Sequence, residues 1–135
     1  MQTFLPTEQL KSIQLLDPKR LGNQVYNEGY VLMEGGWPNH PAAKIWANHK
    51  KHLSLYCLYG LQELTRRGLY YPKWIKYYQE IYHKEPDNGL PSIIGNERFH
   101  SGHRAALLAK FPEWYSRYGW TEKPEPNTKL AYIWR

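Results

Sequence analysis

Residues 41 to 67 read PAAKIWANHKKHLSLYCLYGLQELTRR, and the spacing of their apolar side chains decides the fold class. Ile45, His49, Leu53, Tyr56, Cys57, Gly60, Leu61 and Leu64 recur with a helical period, which predicts one long helix with a core-facing stripe. Asn39 or His40 is placed to cap its start. Arg66 and Arg67 suit the negative end of its dipole, and Gly68 stops it. A helix of this length makes a natural central element, and the rest of the chain can be read as shorter helices wrapped around it.

Upstream, PTEQLKSIQLL predicts a short helix with Thr7 as cap and Leu10 and Ile13 on one face. LDPKRLGNQVYNEGYVLMEGGW follows, with Asp17 as N-cap, Pro18 at the first helical position and Gly35-Gly36 as the stop. Its apolar stripe is Leu21, Val25 and Leu32, interrupted by Glu28. Downstream, PKWIKYYQEIYHK and NERFHSGHRAALLAK, the latter capped by Asn96, are further helices separated by the loop EPDNGLPSIIG. PEWYSRYG adds a last turn or two. Pro124 and Pro126 make the tail irregular, and its Tyr132, Ile133 and Trp134 are expected to pack back on the body. No segment alternates with period two. The expected fold is an all-α single domain over residues 1–135, with about three main helices, several short ones and an irregular C-terminal tail.

The 135 residues carry eighteen Lys and Arg against twelve Asp and Glu, a net charge of +6 that favours a polyanionic partner. Aromatics make up 16% of the chain, and twelve Tyr with six Trp suit half-wet binding surfaces as well as cores. The single Cys57 excludes an internal disulfide and fits a reducing, cytoplasmic setting. The start MQTFLPTEQLK lacks the order of a signal peptide, and no run is long and apolar enough to span a membrane.

Several groups of residues could carry chemistry. Arg20, Asn23, Gln24 and Asn27 form an amide-rich helical stripe; Arg forks onto phosphate and amides read base edges, although a solvated face would look similar. His100, His103 and Arg104 share one side of a helix and offer a proton-transfer group with an anion clamp, against the plainer role of structural histidines. His40 enters a helix where exposed N–H groups attract anions, or it simply caps that helix. Trp114, Tyr115, Tyr118 and Trp120 surround Arg117, as in a stacking platform flanked by the cations Arg104 and Lys110, or as in a closed core. His49 and His52 have a spacing that permits two metal ligands, but no carboxylate or Cys motif accompanies them, and His49 falls on the core stripe. No metal and no cofactor are expected, and no phosphate-binding glycine loop or nucleophile elbow is found.

PEWYSRYGW after HRAALLAK resembles the C-terminal P-x-W-Y-x-x-Y-G of the phage-type pyrimidine-dimer DNA glycosylases, the endonuclease V-like family. MQTFLP, LDPKRLGNQ, WPNHPAAKIW, TRRG, FHSGHRAALL and AYIW resemble a branch of short bacterial and phage proteins of that family that begin MQTFLP. The resemblance spans nearly the whole chain. It implies a monomeric repair enzyme that acts on a damaged or modified pyrimidine in double-stranded DNA: it bends the DNA at the lesion, flips out a nucleotide and attacks the sugar with the α-amine of its first residue. An imine then forms, and the strand is nicked by β-elimination. On this reading Met1 supplies the amine and Arg20 matches an Arg of the first long helix. Lys19, Gln24, His40, Arg104, Lys110 and Arg117 face DNA, while Trp114, Tyr115 and Tyr118 support the lesion pocket. Two positions depart from the pattern. The family carboxylate is expected directly after Arg20, where this chain has Leu21, leaving Asp17, Glu28 or the histidines His100 and His103 as candidates. Methionine before the bulky Gln2 is not usually removed, so the amine stands one residue further out. Two other functions therefore stay open: histidine-assisted hydrolysis or transfer at a modified base, and non-catalytic recognition of DNA shape.

Overall fold

In the computed structural model, residues 2–125 are described. The architecture is all-α. Helices α1 (Gln9–Leu15) and α2 (Pro18–Asn23) are followed by a π-helical turn (Gln24–Glu28) that runs directly into α3 (Gly29–Met33). Then come α4 (Pro41–Trp46), α5 (Lys50–Arg66), α6 (Pro72–Lys84), α7 (Glu97–Lys110) and α8 (Pro112–Tyr115), with a closing 3-10 turn (Ser116–Tyr118). Leu53, Tyr56, Cys57, Leu61 and Leu64 of α5 are buried as the periodicity predicts, and α5 packs against α1, α2, α3 and α6. The expected packing of Tyr132, Ile133 and Trp134 lies outside the described residues.

The predicted helix over 41–67 is two helices. His49 leaves helical geometry (φ −134°, ψ 38°) between α4 and α5. The break is held from outside: Asn88 Nδ2 donates to Asn48 O at 3.0 Å, and His49 Nδ1 lies 2.8 Å from Gly89 O. A distant loop thus overrides local helical preference. His49 consequently sits at this junction, not in the core, while His52 Nε2 meets Asp87 Oδ1 at 2.8 Å in the same loop. Capping also differs at two helices. Glu8, not Thr7, caps α1 by accepting from Leu10 and Lys11 N–H. Asp17 stands at the N-cap of α2 without a side-chain cap bond, because its carboxylate is spent on Arg20 Nη1 (3.1 Å) and the Tyr115 hydroxyl.

The π turn has its own partners. Gly29 N–H reaches back five residues to Gln24 O, and Cys57 Sγ approaches the same carbonyl at 3.9 Å. The Tyr78 hydroxyl donates to Val25 O. Widened turns in helices recur at functional sites, and this one lies where the amino-terminal segment meets the helix. Burial pushes the Cys57 thiol up to about 12, so it stays protonated as a packing and donor group.

Candidate active site around the amino-terminal segment

Residues 2–6 are buried and lie outside any helix, and among the described residues no strand takes their backbone hydrogen bonds. Buried N–H and C=O groups need partners, and here side chains supply them. In extended chain, residues two apart direct their backbone groups to the same side. Gln24 uses this: its Nε2 donates to Gln2 O at 2.9 Å and its Oε1 accepts from Phe4 N–H at 2.7 Å. The Tyr56 hydroxyl lies 2.9 Å from Phe4 O and 2.8 Å from Gln24 Oε1. Leu5 is held by two histidines: its N–H donates to His103 Nδ1 at 2.8 Å, and His100 Nδ1 meets its carbonyl at 2.7 Å. Arg104 Nη1 donates to Pro6 O at 2.8 Å, and Trp46 Nε1 donates to Thr3 Oγ1 at 2.8 Å. Five consecutive residues are thereby fixed by α4, α5, α7 and the π turn.

The segment ends against a carboxylate. Gln2 N–H donates to Glu28 Oε2 at 3.2 Å, and Gln24 Nε2 donates to the same oxygen at 2.8 Å. Burial pushes the Glu28 carboxyl above its usual range. The bonds from Gln2 and Gln24 and the positive charges of the α-amino group and Lys110 pull back without cancelling that effect. His40 is nearby electrostatically: burial first, then the positive α-amino group, hold its imidazole below the usual value. Its Nδ1 accepts from Ala42 N–H at 3.1 Å, capping α4. Gln2 Oε1 is buried without a hydrogen-bond partner among the described residues.

The residues singled out from sequence fall into three groups. Gln24, His40 and Lys110 belong with the amino-terminal segment and Glu28; Met1 lies outside the described residues. His100, His103 and Arg104 hold Leu5 and Pro6 from below, and Arg104 also pairs with Glu97 and Glu122. Arg20 belongs to a third group with Asp17 and the aromatic C-terminal turn. There the Trp114 indole and the Tyr118 hydroxyl both donate to Leu15 O at 2.9 Å, and Tyr115 stacks on Trp120 with centroids 5.7 Å apart. Arg117 sits 4.1 Å over the Trp114 ring. Lys19, Lys110 and Arg117 are exposed.

Gln24 is thus not part of a solvent-facing stripe: it is 1% exposed, and its carboxamide reads the protein's own backbone in the bidentate way it could read a base edge. In sequence Glu28 is an interruption of an apolar stripe and one of several candidates for the family carboxylate. Its pairing with residue 2 needs the amino-terminal segment in place. Among the described residues no three His, Cys, Asp or Glu side chains gather into a metal-binding group, and no helix is long and apolar enough to cross a membrane.

Residues 2–6 thus form a buried amino-terminal segment whose residue 2 N–H meets a carboxylate with a burial-raised pKa, in a basic all-α chain. A family model described as pyrimidine dimer DNA glycosylase matches residues 1–77, which include the segment, Gln24, Glu28, His40 and the whole of α5. The chain belongs to the pyrimidine dimer DNA glycosylase family. Neither a curated protein nor a solved structure matches it.

Proposed function

We propose that this chain excises a damaged pyrimidine from duplex DNA with its α-amine as nucleophile and Glu28 as the partner carboxylate, and then nicks the strand as an abasic-site lyase. The observation that carries this reading is the Gln2 N–H bond to the half-buried Glu28, made by the amide that joins residue 2 to the residue bearing the amine. An α-amine has an ordinary pKa near 8, so a useful share is neutral at physiological pH. Attack forms the bond from nitrogen to the anomeric carbon as the bond to the base breaks and its electron pair leaves with the base. Glu28 takes a proton from the attacking nitrogen; opening of the sugar ring then gives the imine, its ring oxygen gaining a proton. Loss of a proton from the adjacent sugar carbon expels the 3′ phosphate. A carboxyl whose pKa burial has raised is better matched to these transfers than an ordinary one.

The other residues take positions around this pair. Lys19, Lys110 and Arg117 carry exposed charge suited to phosphates, and Arg20 is oriented by Asp17. Gln24, His100, His103 and Arg104 are positioning residues that hold residues 2–6. Trp114 and Tyr118 form a half-buried aromatic wall fastened to the end of α1, whereas Tyr115, expected there from sequence, is fully buried behind them as core.

The test mixes the full chain, its first residue confirmed by mass spectrometry, with a duplex carrying one thymine dimer, with and without borohydride. A covalent adduct mapping to residue 1, lost in Glu28→Gln, is expected. An abasic product without an adduct would replace this mechanism with histidine-assisted hydrolysis. Binding without any product would leave a DNA-shape binder.

A further inference from the structure

The turn between α3 and α4, GGWPNH over residues 35–40, holds a tryptophan in a way that packing does not explain. Trp46 is buried, and Trp74, Trp114 and Trp120 lie against the core, but Trp37 is 66% exposed. Among the described residues it is the one non-glycine with positive φ, at 53°. Bulky side chains rarely adopt that conformation, and a residue preceding proline is further biased toward extended backbone. The strain is nevertheless maintained from both sides. Gly35 and Gly36 N–H groups donate to Leu32 O and Val31 O at 3.2 and 2.8 Å, and His40 N–H closes the turn onto Trp37 O at 2.9 Å, with Pro38 inside it. The fold thus keeps a large indole in solvent on a rigid, strained turn. Backbone strain held without a packing return marks a functional position.

The location says what the indole would meet. The turn leads through His40 into α4, and α4 ends in Trp46, which grips Thr3 of the amino-terminal segment. His40, whose N–H closes the turn onto Trp37 O, feels the positive charge of the α-amino group, so the turn borders the amino-terminal site. We propose that Trp37 stacks against a base of the bound duplex beside the extruded nucleotide, filling the gap that extrusion opens. This rests on the glycosylase reading above. Extruding a nucleotide costs base stacking and pairing, and an apolar wedge inserted at the vacated step recovers part of that cost. An indole is well suited because every base offers a face to stack on. Trp37 is a positioning residue in this account; it touches neither the amine nor the anomeric carbon.

The experiment compares the full-length wild type with Trp37→Phe, Trp37→Ala and Trp37→Gly. Each is titrated onto a thymine-dimer duplex with 2-aminopurine next to the lesion, onto the same duplex without the lesion, and onto a duplex with a preformed abasic site. Trp37→Ala should weaken lesion-duplex binding and single-turnover excision on the order of ten- to a hundredfold. It should also lose the rise in 2-aminopurine fluorescence that reports extrusion. Trp37→Phe should stay within a few-fold of wild type, and strand nicking at the abasic site should change least. Trp37→Gly relieves the positive φ, so it should melt no lower than wild type while sharing the binding defect; that separates stacking from folding. Equal losses on damaged and undamaged duplex, or wild-type behaviour of Trp37→Ala, would overturn the stacking role and leave the glycosylase reading standing. If the wild type neither binds nor processes any of the duplexes, both readings fall.

Discussion

Gln24 shows how much can hang on one side chain. Its carboxamide has two acceptor sites and two donor hydrogens: the oxygen accepts from Phe4 N–H and shares the Tyr56 hydroxyl proton with Phe4 O, and the nitrogen donates to Gln2 O and Glu28 Oε2. Replacing Gln24 with Met would keep the volume but strand Gln2 O and Phe4 N–H in the interior. Each stranded group costs about 1–3 kcal/mol, so Gln24→Met should lower the urea midpoint well beyond what a surface change does. Glu28→Gln should do the opposite to stability. Burial raises the Glu28 carboxyl's pKa in the folded state, so its charged form is disfavoured there. What it contributes is fully present below the ordinary carboxyl value, about 4.3, and is lost as pH rises through the raised folded value. The glutamine variant should therefore match wild type in acid and become the more stable of the two as pH climbs to neutrality, as melting curves across pH would show. Its excision rate should meanwhile fall by about two to four orders of magnitude. Equal melting temperatures at every pH would contradict the burial effect.

The π turn is what lets the first long helix serve two purposes. Leu21, Val25 and Leu32 face the core, while Gln24 and Glu28 face the amino-terminal segment. Close approach makes this possible. At Gly29 a Cβ would fall against Gln24 O and only 2.5 Å from Cys57 Sγ; at Gly60 on α5 it would fall 2.6 Å from Val25 Cγ2. Overpacking of this kind costs typically about 1–3 kcal/mol. Gly29→Ala should lie at the upper end, because one of its contacts is backbone that cannot swing aside. Calorimetry on Gly29→Ala and Gly60→Ala checks the order. A smaller loss at Gly29 than at Gly60 would mean that the π turn is more pliable than its contacts indicate. Glu63 near the end of α5 is buried at 4% exposure, and its bonds from Arg66 and Arg67 hold its carboxyl below the usual range despite that burial. Glu63, paired with two guanidinium groups, and Glu28, bonded only by amides, thus shift in opposite directions within one fold.

Across the whole molecule, chain ends are usually loose unless tied down, and here residues 2–6 are part of the core. A short Gly-Ser extension fused before residue 1 should therefore leave folding and DNA binding largely intact while removing the free amine from the site. The expected result is retained affinity for a thymine-dimer duplex with no borohydride adduct, whereas a C-terminal extension of equal length leaves the adduct. An adduct of full yield from the N-terminally extended chain would point to another amine. The helical class, α6, α7, the Asn96 cap and the loop between α6 and α7 were all legible in sequence, because apolar period, caps and Pro/Gly punctuation are local signals. The resemblance to the family was legible too, from short motifs along the chain. What the amino acids alone could not settle was pairing at a distance. The break at His49 depends on a loop forty residues away, the inward turn of Gln24 on an extended segment some twenty residues upstream, and the placing of Glu28 on both. Sequence determined the helices and the basic, aromatic character of the chain, since both follow from local composition and period. Only the tertiary structure decided which carboxylate meets residue 2 and which of the described tryptophans stays in solvent, because those depend on long-range hydrogen bonds and close packing that no local pattern encodes.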